Sequence, residues 1–265
     1  MAVDMELLKK LRAITQAPLG ECKQALEESL GDLEQAQQIL RDRGALKASK
    51  KADRETNEGV VVIKHSLGRT LGVKFACETD FVAKNETFVG LAHSLLAMVA
   101  EASDEDYHSY ADVPQSLKDR LESFITSHFV TIGENMQIID LFSRAGVAHV
   151  YTHPGDKIAV AVFYTGDESL AKDAALQIAA MNPWYHHVQD LPADTVADEK
   201  RRFMEELLDD PKPEAIKEKI VEGKLAKFYS EIVFDEQHCI KDDAKKMKDY
   251  LGSKCTVLSY IRYAI

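Results

Sequence analysis

Three side chains of this sequence are of the kinds that assemble a nucleophilic site: the thiol of Cys77, the imidazole of His65 and the carboxylate of Asp80. In such a site a base deprotonates the thiol and an acid orients the base. Together they would make a small hydrolase. No motif sets the three beside one another, however, and Cys77 closes an apolar run, where a thiol is ordinarily a small buried apolar group. His186-His187 and His238-Cys239 are metal-ligand types. Adjacent ligands without further spaced partners rarely close a site, so no metal is expected. No GxxxxGK[ST], GxGxxG or GxSxG run occurs, so no bound nucleotide or other cofactor is expected either. What is left is Cys77-Glu-Thr-Asp-Phe-Val-Ala-Lys84, a polar loop carrying one aromatic, Phe81. Taken by themselves, Phe81 also fits a loop aromatic folded back onto its own core, and Asp80 a helix cap or turn residue.

The loop stands where one half of an internal duplication departs from the other. Residues 59–77 and 146–164 superpose without a gap, each reading as apolar run, Gly-containing turn, apolar run. That predicts a β-hairpin twice. A helical period follows in each copy, through Phe88, Leu91, Leu95 and Leu96, and through Ala171, Ala174, Ala175 and Ile178. The copies close alike, on 132–142 and 251–261. The expectation is an α+β fold in which each half is a three-stranded antiparallel sheet with helices on one face. Between these anchors the first copy carries Glu78 to Glu86, where the second has only the Thr165-Gly-Asp-Glu-Ser turn. A loop that breaks a repeat is a natural seat of function. The second copy in turn carries an insertion of about 183–224. Its Asn182-Pro183 and Asp209-Asp-Pro-Lys-Pro213 segments punctuate a charged helical stretch, Thr195 to Leu208. This reads as an exposed arm for partner or self contact, or equally as a solvated decoration.

Ahead of the duplication, residues 1–46 read as a three-helix bundle of the ubiquitin-associated kind. Leu7, Leu11 and Ile14 make one apolar face, Cys22, Ala25, Leu26 and Leu30 a second, and Leu33, Ala36, Ile39 and Leu40 a third. Pro18 suits a first helical position, Gly31 follows helix two, Asp32 with Gln35 resembles a capping box, and Gly44 can end helix three. Residues 47–58 are polar and read as a linker, with Lys50, Lys51 and Arg54 available to an acidic partner or simply solvated. The domains expected are thus 1–46, the linker 47–58, and two core halves, 59–143 and 144–265.

Composition narrows the classes. At 265 residues, 45% apolar and 29% charged, the chain can bury one or two cores, and it has no run of the ~18 apolar residues a membrane span needs. Its start lacks an apolar signal core and transit-peptide character, and four cysteines without a CxxC fit reduced thiols. A cytoplasmic protein is expected. A formal net charge of −11 makes phosphate-backbone attraction a poor source of binding, so the partner expected is protein rather than nucleic acid. Trp184-Tyr-His-His187 accordingly reads as core closure before nucleic-acid stacking.

Several of these residues together resemble a known family. Leu11-Arg12, Thr15, Cys22-Lys-Gln-Ala-Leu26, Gly31-Asp32, Glu78-Thr-Asp-Phe-Val-Ala-Lys-Asn85, the run from Pro213 to Tyr229, Glu236-Gln237 and Ile240-Lys-Asp242 are similar, in order, to translation elongation factor Ts. The resemblance implies a guanine-nucleotide exchange factor, not an enzyme. Such a factor binds the GDP form of elongation factor Tu, promotes loss of GDP and Mg2+, and holds the empty state until GTP enters. An adaptor that binds elongation factor Tu without exchange is the alternative. By position, Phe81 resembles the wedge that enters an apolar pocket of the partner's nucleotide-binding domain. Asp80 is its acidic neighbour, and Thr79 and Val82 shape the loop. Arg12, Leu19 and Lys23 resemble bundle contacts with that same domain, Lys51 lies in the basic linker, and His153 sits at the hairpin that meets a separate β-barrel domain. Some members self-associate through a long helical hairpin, which leaves a homodimer within the complex open. The insertion here is short and different in sequence, so dimerisation is not inherited. The chain also departs from the family pattern. Thr15-Gln-Ala-Pro18 replaces Thr-Gly-Ala-Gly, Gly20 replaces an apolar residue, and His238-Cys239 replaces Pro-Phe.

Overall fold

Caps and packing requirements set the helices that open the chain. The computed structural model describes residues 3–102, 104–146 and 148–265; Met1 and Ala2 of the expected bundle and Val147 of the second hairpin lie outside them. Two compact units divide the chain, one being Met1–Val147 with Pro154–Ile158 and Tyr263–Ile265, the other Ala148–His153 with Ala159–Arg262. No helix among the described residues is long and apolar enough to cross a membrane.

In the first unit, helix α1 (Met5–Thr15) starts at Asp4, whose carboxylate accepts from the Glu6 amide, and stops at Gln16 in a left-handed conformation. Pro18 precedes α2 (Leu19–Glu28), and Asp32 caps α3 (Leu33–Lys51) by accepting from the Glu34 and Gln35 amides. Leu8, Leu11, Cys22, Ala25, Leu26, Ala36 and Leu40 form the bundle core. Ile14, expected on an inner face, is exposed, because the inward stripe runs through buried Leu8 and Leu11 to part-buried Thr15 and Ile14 lies one residue off it. Gly44 does not end α3. An added Cβ there would meet the Val130 side chain at 2.7 Å, so the glycine permits close packing and the helix runs on through Lys51. The stretch read as a tether is therefore helical in its first part.

The first hairpin pairs β1 (Glu58–Ser66) with β2 (Arg69–Cys77) in antiparallel register from Glu58↔Cys77 to Ser66↔Arg69. The short α4 (Asp80–Ala83) follows, then α5 (Glu86–Ala102), α6 (Gln115–Ser127) and α7 (Phe129–Ile132). Strand β3 (Met136–Ala145) then joins β2 to complete a sheet ordered β1-β2-β3. One face of the sheet buries Leu71, Val73 and Phe75 against Phe88, Leu91, Leu95 and Leu96 of α5, with the Phe75 and Phe88 rings stacked at 4.5 Å.

The second unit repeats this plan. Strands β4 (His149–Thr152) and β5 (Ile158–Gly166) form its hairpin, and α8 (Glu168–Met181) buries Ala171, Ala174, Ala175 and Ile178. Helices α9 (Ala193–Glu205) and α10 (Glu214–Ile232) follow, then a ribbon of β6 (His238–Cys239) and β7 (Asp242–Lys246), the short α11 (Met247–Leu251), and β8 (Cys255–Ala264) in a sheet ordered β4-β5-β8.

The added element of this half begins later than residue 183. Tyr185-His186 with Asp190 and Pro192 repeats Tyr107-His108 with Asp112 and Pro114 at the same spacing. Each set makes a 3-10 turn whose aspartate accepts a backbone amide, Ser109 N at 2.9 Å and His187 N at 2.8 Å. Each then leads past its proline into a helix of 13 residues, α6 and α9. So α9 is the second copy of α6, and α10 with the ribbon is the addition. Phe203 and Leu207 are buried against Val221 of α10. The buried amide Gln177 holds the ribbon, donating to Gln237 Oε1 (3.2 Å) and His238 O (3.0 Å) and accepting from Ile240 N (2.9 Å).

Candidate functional site

A four-residue helix cannot hold itself together, since nucleating a first turn fixes several dihedrals for a single hydrogen bond. Helix α4 is held from outside. Thr79 is its N-cap, accepting from the Val82 amide, and Ala83 is buried beneath it. The Thr79 amide donates to Glu134 Oε2 at 3.0 Å and the Thr79 hydroxyl to Glu134 Oε1 at 2.7 Å. One residue earlier, Glu78 accepts from the Asn135 amide at 2.7 Å and from Arg54 at 3.0 Å. Burial works against the charged form of Glu78, yet the Asn135 and Arg54 hydrogen bonds hold its carboxyl below the ordinary range. After the helix, Asn85 accepts from the Thr87 amide and begins α5.

On this support Phe81 points outward, 82% exposed, while Val82 packs partly against the first core. Asp80 and Lys84 form an exposed pair at 2.7 Å, and the Lys84 hydrogen bond keeps the Asp80 carboxyl below its usual range. The arrangement is a rigid platform carrying one apolar ring beside one carboxylate. It can dock, and it holds no reacting pair.

The nucleophilic reading fails on geometry. Cys77 is buried, and burial together with the Glu134 carboxylate pushes its thiol up to about 12, so it stays protonated at neutral pH. His65 pairs with Thr70 while Cys77 pairs with Glu58, seven residues along the same strand, a separation of roughly 23 Å at the strand rise. His186, His187 and Asp235 come together, with His187 Nδ1 at 2.6 Å from Asp235 and the two imidazoles stacked at 3.8 Å. Lone pairs lie in the ring planes, so stacked rings direct them side by side rather than onto one ion.

The bundle residues expected at a partner surface fall at one edge, where α1 ends and α2 begins. Arg12 is in the last turn of α1, Leu19 opens α2 at 52% exposed, and Lys23 follows one turn later with Glu27 at 3.9 Å. Gln16, where the family pattern has glycine, has a φ of 53°, a region that costs a side chain about 1–2 kcal/mol. Lys51 is engaged within the chain: its ammonium donates to Gly133 O at 2.5 Å and lies over the Phe129 ring at 5.4 Å. In the second unit His153 is exposed, its Nδ1 at 2.9 Å from the Tyr151 hydroxyl. Cys239 is buried and His238 exposed.

Glu134 was not singled out from the sequence. The signal lay in the duplication: Gly133-Glu134-Asn135 aligns with Gly252-Ser253-Lys254, sharing the glycine and differing at the carboxylate.

The family model described as Elongation factor TS matches residues 78–265. An elongation factor Ts from Hydrogenobaculum sp. (strain Y04AAS1) is 40% identical, over 100% of this chain and 99% of its own length. One from Aquifex aeolicus (strain VF5) is 40% identical over 95% of this chain and 92% of its own. One from Shewanella amazonensis (strain ATCC BAA-1098 / SB2B) is 36% identical over 100% and 91%.

Proposed function

The chain belongs to the elongation factor Ts family, and from that premise we propose that it exchanges guanine nucleotide on elongation factor Tu by inserting Phe81 into the partner's nucleotide-binding domain. The family is one of exchange factors, not enzymes: no bond is made or broken. Bacterial translation elongation, in which such a factor works, takes place in the cytoplasm. Its effect is reciprocal coupling. A factor that binds the empty partner more tightly than the GDP-bound partner must weaken GDP binding by the same factor.

Magnitudes favour Phe81 as the principal group. A thousandfold faster release needs about 4 kcal/mol of added stabilisation at the release transition state. Burying a phenylalanine that starts almost fully exposed supplies roughly 1.5–3 kcal/mol of that. Because α4 is pinned before it meets the partner, little ordering cost is subtracted from this gain. Asp80 supplies the remainder by bringing a carboxylate toward the partner's Mg2+ and phosphate region, where added negative charge disfavours the existing ion arrangement. Thr79 and Val82 fix the turn. Arg12, Leu19 and Lys23 present one edge of the bundle to the same partner domain, Lys51 acts through Gly133, and His153 engages a separate partner domain. A homodimer within the complex is the finer part of the reading; light scattering of the complex tests it, and a mass of one factor plus one partner removes it.

The observation that carries the reading is an apolar ring 82% exposed on a turn tied down on both sides. The test is release of a fluorescent GDP analogue from elongation factor Tu against excess unlabelled GDP. Acceleration by the chain supports exchange. Binding without acceleration supports an adaptor instead.

A further inference from the structure

We propose that Glu134 is a positioning residue for exchange, holding the Phe81 helix in its docking orientation through a two-point grip on Thr79 and linking that helix to the amino-terminal bundle. The proposal rests on the reading of Phe81 as the inserted group. Glu134 takes the two donors of Thr79 on its two oxygens, at 3.0 and 2.7 Å, which fixes both position and rotation of the residue that caps α4. Thr79 Oγ1 still accepts from the Val82 amide at 3.4 Å, so the grip is transmitted to the helix itself. The neighbours of Glu134 fasten the same turn to α3 and the residues after it. Lys51 donates to Gly133 O at 2.5 Å, and Asn135 Nδ2 donates to Ala52 O at 3.1 Å and Arg54 O at 2.8 Å. Asn135 N completes the crossing by donating to Glu78 Oε1. The turn 133–135 is thus fastened on one side to the bundle helix and on the other to the residues flanking Phe81.

The duplication supplies the control. At the equivalent turn, Lys254 O accepts from the Asp167 amide at 2.9 Å, and a serine stands where Glu134 is in the first half. A carboxylate with two acceptors is present where a docking helix must be held, and absent where the strand runs directly into α8.

The experiment measures GDP-analogue release from elongation factor Tu at increasing concentrations of the full chain, for Glu134→Ala, Glu134→Gln, Phe81→Ala and Glu134→Ala with Phe81→Ala. Glu134→Ala should lower the limiting rate about tenfold with under about threefold change in the half-saturating concentration. Glu134→Gln should stay within about threefold of wild type, since its carbonyl can accept from the Thr79 amide and its NH2 can donate to the Thr79 hydroxyl. In the Phe81→Ala background, Glu134→Ala should add much less than its tenfold loss alone, no more than the share carried by Asp80 on the same helix. Amide hydrogen exchange of the free chain should accelerate at Phe81 to Ala83 in Glu134→Ala while α5 keeps its protection. A wild-type limiting rate for Glu134→Ala beside a slow Phe81→Ala overturns the proposal and leaves the Phe81 reading standing. Equal losses in both backgrounds place Glu134 elsewhere and overturn it too. Normal exchange by Phe81→Ala removes both together.

Discussion

The two halves of the duplicated core leave their second strand in different ways. In the second, β5 ends at Gly166 with a φ of 100°, an added Cβ there would run into Lys254 O, and Asp167 caps α8 at once by accepting from Ser169 N. Backbone, a single glycine and one capping aspartate make the whole connection. In the first, residues 78–85 intervene, and side chains do the work of holding them: Glu134 on Thr79, Glu78 on Asn135, Lys84 on Asp80. The tight connection leaves nothing to present. The longer one exposes Phe81, and its supports are what keep that ring from collapsing onto its own core. The same junction is thus a plain connection in one half and, on the function proposed above, a docking device in the other.

The comparison extends into the sheets, where it can be broken most forcefully. Gly72 pairs with Phe142 across β2 and β3, and an added Cβ would run into the Phe142 ring. Ile63 pairs with Gly72 in the first hairpin and its counterpart Val150 with Ala161 in the second, so alanine stands at the glycine position there, and Ile261 aligns with Phe142. Gly72→Ala should therefore destabilise by about 2 kcal/mol through overpacking, and adding Phe142→Ile should recover most of that; urea melts measure both. Additive losses would show that the two pairs are not structural equivalents.

Next in size is Glu78→Gln. The folded carboxyl titrates below its ordinary value, so the charged form stabilises. That stability is complete above the unfolded pKa of 4.5 and is lost as pH falls through the lower folded value. The variant should be less stable than wild type by about 1–2 kcal/mol at pH 7, with the difference narrowing as pH falls below 4.5. Denaturant midpoints across that range would show it, and a pH-independent gap would remove charge as the cause.

Smaller again is Lys51→Met, which takes away the Gly133 tie and the cation above Phe129. It should cost about 1 kcal/mol in thermal or urea unfolding. An unchanged stability with weakened partner binding would return Lys51 to the partner surface.

Much of this was legible in the sequence because it depends on local pattern. Hairpins, helical stripes and the caps at Asp32 and Gly31 are decided by neighbours within a few residues. What escaped was decided at a distance. Gly44 looked like a stop because nothing local announces Val130 beside it. Lys51 looked available to a partner or to water because Gly133 lies 82 positions away. Ile14 looked inward because a period tolerates an error of one residue. The match between Tyr107 to Pro114 and Tyr185 to Pro192 was readable and would have placed α9 as a repeat of α6. Phe81 was found as the exception in a repeat, whereas Glu134, its support, stood in the turn before the closing strand, inside a segment read only as shared.

On the proposed function, Phe81 drives release from the half of the molecule that can present it. The most direct measurement is GDP-analogue release from elongation factor Tu at saturating Phe81→Ala. The limiting rate should fall by on the order of 100-fold, equivalent to about 2.7 kcal/mol, with the thermal midpoint within about 2 °C of wild type because the ring is exposed in the free chain. Release at the wild-type rate would contradict it.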